Sequence, residues 1–377
     1  MFEQLFGVSY TLLNFIIALS VVVFVHELGH FVVARRNKVR CESFSIGFGP
    51  ELFGYTDRHG TRWKFSVIPL GGYVKMFGES DLANPAPGGK EDTGAERPRE
   101  PTLEEKSVSF KHKTLAQRAA IVFAGPAVNF LFAIVVFFLI FTTVGRPVTE
   151  PVIGSVLPES AAAEAGLVVD DRILKIDGQK VDRFEELQRL VPLGHGAAMV
   201  ITVMRDGREI ELTAFPRISE DSDAFGNAQK RALLGVTASG KARVMVRHNP
   251  IEGAVLAIGQ TYTVIDSTFV AVGQIISGQR GAEDLGGPIR IAKYSGQAAK
   301  SGWINFIVFM AILSINLGII NLFPVPLLDG GHLLFYAIEY VRGRPLSENT
   351  QEWGLRLGFV LVVGLMVFVT WNDIAQL

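Results

Sequence analysis

Charged residues are missing from four long stretches of the chain: Gln4 to Val25, Ala119 to Gly145, Trp303 to Leu328 and Leu357 to Asn372. Crossing the hydrocarbon core of a bilayer takes about 20 helical residues, and the first three stretches reach that length. The fourth is shorter, but Arg356 can extend its head group to the interface, and Trp353 and Trp371 suit the two boundary layers. The pattern predicts a polytopic α-helical membrane protein with four transmembrane helices. A further stretch, 251–278, is fairly apolar yet holds Glu252, Asp266 and many Thr, Ser, Gln and Gly residues. It reads as an amphipathic helix on or near the outer membrane face. The first stretch reads as a retained span. Met1-Phe-Glu-Gln4 lacks the basic start of a secretory signal, and no small-residue cleavage site precedes the next basic cluster.

Between the apolar stretches the pattern changes. Phe44, Ile46 and Phe48 alternate with smaller residues, Thr56 to Gly60 is a turn signal, and Trp63, Phe65 and Val67 alternate again. This predicts a β element over 43–78, beside the first helix. Residues 79–105 are rich in Pro, Gly and charge, a composition that suits a flexible loop. Residues 150–216 read as a small α/β domain. A strand at Val152–Val156 precedes a short helix from Ser160 to Ala165, stopped by Gly166; a strand and turn (Arg172–Gly178) leads to a helix from Phe184 to Val191. A hairpin around Asp206-Gly207 closes the domain. The order, and Ala-Gly-Leu-x-x-x-Asp-x-Ile-Leu-x-Ile-Asp-Gly over 165–178, resemble a PDZ domain, a module that binds extended peptide against a sheet edge. One copy is present and no second repeat is apparent.

Basic residues orient the chain. Arg35, Arg36, Lys38 and Arg40 follow the first span, Lys106, Lys111, Lys113 and Arg118 precede the second, and Arg342 and Arg344 lie between the third and fourth. By the positive-inside rule these flanks are cytoplasmic, which places both termini and the 146–302 segment outside the cytoplasm. Arg290, Lys293 and Lys300 run against the rule, but long translocated segments tolerate such charges.

The expected division is therefore 1–42 for the first span, 43–78 for the membrane-associated β element and 79–114 for the cytoplasmic loop. The second span follows at 115–145, the periplasmic PDZ-like α/β domain at 146–216, and a post-PDZ region with its amphipathic helix at 217–302. The third span with a broken segment occupies 303–341, and the fourth span with the C-terminus 342–377.

Composition adds two limits. A formal net charge of -1 across 377 residues favours neither nucleic acid nor an acidic partner. A single cysteine, Cys41, excludes an intrachain disulfide and a cysteine-rich zinc site.

The candidate chemistry lies at the end of the first apolar stretch. His26-Glu27-Leu28-Gly29-His30 places two imidazoles one helical turn apart on one face, able to reach one Zn²⁺, with Glu27 beside them as general base for a water molecule. Ionisable groups within a membrane helix are expensive and usually functional. A catalytic zinc takes three protein ligands and one open position. Pro324 and Pro326 break the third span, and Asp329 stands in that break beside Gly330 and Gly331, which permit close approach. Asp329 is the expected third ligand, with His332 and Glu339 as competitors and an N-cap of the following helix as the other role for Asp329. His59, His112, His195 and His248 read as ordinary histidines of loops or the soluble region. For Asp329 to meet His26 and His30, the third span must run inward like the first, which excludes 251–278 as a single additional crossing.

These pieces together resemble the bacterial site-2 proteases of the RseP-like type, intramembrane zinc metalloproteases that cleave anti-sigma factors in regulated intramembrane proteolysis. The resemblance rests on His26-Glu-Leu-Gly-His30, Phe48-Gly49, Pro69-Leu-Gly-Gly-Tyr-Val-Lys-Met76, Gly125-Pro-Ala-Val-Asn129, the PDZ-like region and Asn321-Leu-Phe-Pro-Val-Pro-Leu-Leu-Asp-Gly330. It covers nearly the whole chain; the departure is a single PDZ-like domain where some members have two. The resemblance implies one Zn²⁺ per chain held by His26, His30 and Asp329, with Glu27 activating water. It also implies a β element that pairs with an unwound substrate strand, and substrate contacts at Asn321, Pro324, Gly71, Gly72 and Asn129. Asn321 has a competing role in satisfying carbonyls freed by the prolines, and Gly125-Pro126 and Asn129 a competing role in packing. The implied partners are single-span membrane substrates, such as anti-sigma factors or signal-peptide remnants, in the bacterial inner membrane. Two other classes remain open on the residues alone: a transporter, which also breaks helices around an ion but usually shows internal repeats, and a scaffold whose PDZ-like domain recruits peptides.

Overall fold

The structure is a computed structural model, and it describes residues 2–79, 102–193, 196–222, 228–239, 243–278, 281 and 286–375. The segment 80–101, most of the stretch expected to be a flexible loop, lies outside the described residues, as does His195. The chain forms two compact units: residues 1–138, 254–273 and 280–377 make one, and 139–253 with 274–279 the other.

In the first unit, helix α1 spans Phe2–Arg36. Strands β1 (Cys41–Thr56) and β2 (Arg62–Met76) follow it. Both strands bend, so their register makes a sheet of four segments. Phe44 has Val74 on one side and Trp63 on the other, while Trp63 also faces Tyr55. The bends fall at glycines that adopt positive φ, among them Gly49 (+90°) and Gly71 (+114°). Segment 72–76 has one strand neighbour among the described residues and is thus an edge. The sheet is fastened to α1 by rings: Phe44 stacks on Trp63 with centroids 4.4 Å apart, and Phe31 meets both edge-on at 5.5 and 5.0 Å. Each such pair contributes about 0.5–1.5 kcal/mol beyond its buried area. At the sheet's turn, Asp57 accepts from Arg35 Nη2 (2.5 Å), Trp63 Nε1 (3.1 Å) and the His59 and Thr61 amides.

The first described residues after 79 hold more structure than a flexible loop. Helix α2 (Leu103–Val108) starts with a capping box in which Thr102 and Glu105 satisfy each other's backbone N–H groups, a signal present in the sequence but masked by its charge. Helix α3 (Leu115–Thr143) contains Pro126 and crosses α1 in the opposite direction. That direction follows from two contacts: His30 meets Ile121, and His26 meets Asn129.

The second unit is built on β3 (Arg146–Thr149), β4 (Ile153–Val156), α4 (Ala161–Glu164), β5 (Arg172–Ile176), β6 (Gln179–Lys180), α5 (Phe184–Leu193), β7 (Met199–Arg205) and β8 (Arg208–Ala214). Its sheet has the order β6-β5-β7-β8, and its core gathers Ile153, Ile173, Ile201 and Val203 with Phe184 and Leu187 of α5. Asp171 is fully buried and is gripped by Arg205 at 2.7 Å through two nitrogens. Strands β9 (Arg217–Ser222) and β10 (Ala228–Leu233) pair together, β11 (Val236–Ala238) returns to β4, and β12 (Arg243–Val246) returns to β3. The sequence reading left these four strands inside an undivided post-PDZ region. Their partners lie far back in the chain, and short polar strands carry little period of their own.

Helix α6 spans Pro250–Ile276 without a break. Helices α7 (Pro288–Lys300), α8 (Trp303–Leu322), α9 (Asp329–Arg342) and α10 (Glu348–Ala375) complete the first unit. Ser314 donates to the Asn129 carbonyl (3.1 Å) and Gly318 packs on Pro126 and Phe130, so α8 runs against α3 and with α1. Helix α10 passes Pro326 at Gly358, then reaches α7, where Asp373 accepts from the Gly287 and Arg290 amides at 2.9 Å each. It therefore runs against α8. Among the described residues, five helices are long and apolar enough to cross a membrane: α1, α3, α6, α8 and α10. That is one more than the four apolar runs of the sequence. The addition is α6, in which isolated polar residues interrupt the run without interrupting the helix.

Candidate metal centre

The centre is assembled from four helices and one strand. His26 and His30 leave α1 on one face and are both buried, as their four-residue spacing requires. Asp329 is the first residue of α9; the residue before it, Leu328, occupies the cap position, and no side chain caps this helix. The alternative role of Asp329 as an N-cap is therefore not the one adopted. Its carboxylate turns to the two histidines instead. Asp329 Oδ2 lies 3.2 Å from His26 Nε2 and 3.5 Å from His30 Nε2, and the two Nε2 atoms are 3.2 Å apart. A tetrahedral ion with bonds of about 2.0–2.1 Å separates neighbouring donors by about 3.3 Å. The observed triangle has those edges, and Asp329 Oδ2 is buried without a hydrogen-bond partner among the described residues. Two nitrogens and one carboxylate oxygen converging in this way fit a zinc ion with one position left open.

The far sides of the rings determine which nitrogens face the centre. His30 Nδ1 is 2.9 Å from the Ile121 carbonyl, which only accepts, so Nδ1 carries the proton and Nε2 keeps a lone pair. His26 Nδ1 is 3.2 Å from the side-chain amide of Asn129. A half-turn of that amide offers His26 Nδ1–H an oxygen acceptor, the arrangement ligation through Nε2 requires. Asn129 is fully buried behind His26 and does not line the cavity.

Close packing leaves no slack. A Cβ on Gly125 would overlap His30 Nε2, and one on Gly29 would overlap the Ala124 carbonyl. Gly330 and Gly331 sit equally tightly on the backbone of the Leu322–Pro326 break, where Asp329 begins. Within that break Leu327 has φ +129°, a conformation that an L side chain adopts at a cost of about 1–3 kcal/mol. Strained backbone of this kind clusters at functional sites.

The three donors open into a cavity of about 1270 Å³. Glu27 lines it and accepts the Val74 amide N–H from the sheet edge. Gly71 and Gly72 line it too. A Cβ on Gly72 would lie 2.7 Å from the Ser45 carbonyl, which excludes a side chain, and 3.3 Å from Glu27 Cγ, so the strand passes close beside the Glu27 side chain. Asn321 completes the wall, with Nδ2 3.5 Å from His26 Nε2.

Other expected residues stand apart. Pro324 is exposed just after the end of α8 and is absent from the cavity wall. Of the competing ligands, His332 lines the cavity one turn beyond Asp329 without joining the triangle, and Glu339 is engaged by Arg118 at 2.6 and 3.2 Å. His59 lies in the exposed turn, His112 bonds Ser109, and His248 bonds Glu252. Sequence reasoning missed the Ile121 carbonyl, the reason for Gly125, and Glu79 at the end of the edge strand. The Gly125 motif marks the position without giving its reason, and the other two carry no motif, because each matters only through a neighbour distant in the chain.

Comparison with known proteins adds a family. The model described as Peptidase family M50 matches residues 14–365. A protein of Agrobacterium fabrum, named as a candidate zinc metalloprotease, is 44% identical over 366 residues, covering 96% of this chain and 95% of that protein. A similarly named protein of Rhizobium meliloti is 42% identical over 371 residues, with 98% and 97% covered. Protease RseP of Yersinia pestis is 32% identical over 471 aligned positions, with 98% and 100% covered. The last alignment is longer than this chain, so that relative carries residues without a counterpart here.

Proposed function

This chain belongs to peptidase family M50 and is a zinc metalloprotease with membrane-spanning helices, and on that premise we propose that it cleaves the membrane segments of single-span proteins. The observation that carries the reading is the convergence of His26, His30 and Asp329 beside a carboxylate and a strand segment, 72–76, that has one strand neighbour among the described residues.

His26, His30 and Asp329 hold the metal, one ion per chain. Bound zinc supplies Lewis-acid chemistry, polarising the scissile carbonyl and lowering the pKa of water. Glu27 accepts a proton from the attacking water and returns it to the leaving amine. The Val74 amide and the close approach of Gly72 hold the Glu27 carboxylate beside the strand. A membrane helix hides its peptide bonds; unwound, it adds as a strand to the 72–76 edge, and Asn321 holds its backbone near the donors.

Four crossings account for the helix directions. Helices α1 and α8 run one way and α3 and α10 the other. A single crossing by α6 between α3 and α8 would make those two parallel, so α6 lies at the outer face. The basic flanks place the donors toward the cytoplasmic side of the bacterial inner membrane and both termini in the periplasm. The second unit, read as the PDZ-like domain, acts outside as a filter against bulky substrates. Anti-sigma factors and signal-peptide remnants are the substrates proposed.

Co-expression of a tagged single-span substrate with the wild type and with Glu27→Gln tests this. The wild type should release a product whose mass places the cut inside the membrane segment. Glu27→Gln should retain zinc and lose at least about 100-fold in rate, the range of general-base contributions. Cleavage by Glu27→Gln at the wild-type rate would sink the mechanism.

A further inference from the structure

The cavity that holds the three donors extends past strand β2 to the turn that ends it. In this turn the Glu79 amide donates to the Met76 carbonyl at 3.2 Å, and Gly78 takes the third position with φ +76°. That is the conformation for which a type II turn selects glycine. Any side chain at Gly78 would overlap Ser109 Oγ. Phe77 is held on both sides: its amide donates to the Arg40 carbonyl, and its carbonyl accepts from the Phe110 amide, both at 2.8 Å. The turn is thus braced from two directions, and it delivers the Glu79 side chain to the cavity wall.

There the carboxylate accepts the Met76 amide N–H at 3.3 Å, and among the described residues no cation pairs with it. Other carboxylates of the same wall are engaged. Glu339 has Arg118, and Glu352 has Arg356 at 2.5 Å. Burial pushes the Glu79 carboxyl up to about 7, and the Met76 amide offsets this only in part. Lys111 and Arg118 also line the cavity, the latter held by Glu339, but among the described residues neither pairs with Glu79, and a desolvated carboxyl without such a partner is a group that a ligand's charge would compensate. Its position narrows the ligand. Val74, at the Glu27 carboxylate, precedes Glu79 by two strand residues and the turn, a distance several residues of an extended substrate would span at about 3.3 Å each. Cytoplasmic flanks of membrane segments are rich in Lys and Arg.

We propose that Glu79 is a specificity-determining residue that receives a lysine or arginine side chain, carried by the substrate a few positions to the cytoplasmic side of the cleaved bond. The assignment rests on substrate lying along the 72–76 edge, as proposed above.

The test uses the full-length enzyme and single-span substrates with Lys, Gln or Glu placed in turn along the cytoplasmic flank. Product mass spectrometry gives the cut site and kcat/KM for each. The wild type should favour Lys over Glu at one position by on the order of tenfold or more, the scale of a hydrogen bond to a charged group. Glu79→Gln keeps the Met76 hydrogen bond through its amide oxygen and should bring that ratio near unity. Glu79→Lys should reverse the preference by repulsion. An equal Lys-over-Glu ratio in the wild type and Glu79→Gln overturns the assignment, as does a wild type without preference at every position. If the wild type cuts no substrate above the Glu27→Gln background, the reading of the function falls, and this assignment falls with it.

Discussion

The backbone of Gly125 lies so close to the His30 imidazole that a methyl group added there would overlap Nε2, the nitrogen facing His26 and Asp329. Gly125→Ala should therefore displace the ring while leaving the helix intact, since alanine is the better helix former. We expect a loss of zinc affinity of about 10–100-fold, the range for disturbed ligand orientation. Chelator titration followed by metal analysis reads it. Wild-type zinc retention in Gly125→Ala would show that the site yields more than this packing allows.

Asn129 meets the far nitrogen of His26 and is proposed to fix its tautomer. Asn129→Leu keeps the bulk and removes the acceptor, so zinc should be released about 10–100-fold more readily. Asn129→Asp keeps an oxygen beside Nδ1 and should remain near the wild type. Equal loss in both variants would point to a packing requirement for the amide instead.

Asp57 ties the β element to the end of α1. Burial raises its carboxyl, but the Trp63 indole, the Thr61 and His59 amides and Arg35 outweigh this and bring it down to about 2, from an ordinary 3.8. A carboxyl depressed in the folded state stabilises that state fully above its unfolded pKa. The contribution fades as pH falls from about 4 to 2. The protection of the strand amides from Cys41 to Met76 against hydrogen exchange, corrected for the intrinsic rate at each pH, should fall across that window. Asp57→Asn should flatten the dependence; an unchanged profile would remove Asp57 as its origin.

Much of this protein was legible from sequence because its signals are local. An uncharged run long enough to cross lipid can be read without any partner, as in α3 and α8. Two histidines four apart share a helix face wherever that helix lies. The Pro324–Pro326 break and the glycines after it marked the neighbourhood of Asp329. The strands of the β element alternate clearly, since one of their faces packs against rings of α1.

What tertiary structure alone decided is contact between distant residues. Asp329 lies some 300 positions from His26 and His30, and only the backbone at Gly330 and Gly331 brings the three within ligand distance. Periodicity could not reveal that Ile121 offers His30 a carbonyl, that Gly125 is glycine because an imidazole fills its side-chain space, or that Pro324 is absent from the cavity wall. Nor could it find that Glu79 reaches the same cavity, because that depends on a turn braced by Arg40 and Phe110. The sequence by itself determined the long apolar helices, the β element and the donor types, which follow from hydrophobicity and spacing. Packing decided which donors meet, because a metal-sized triangle with edges of 3.2 to 3.5 Å depends on how the helices close on one another.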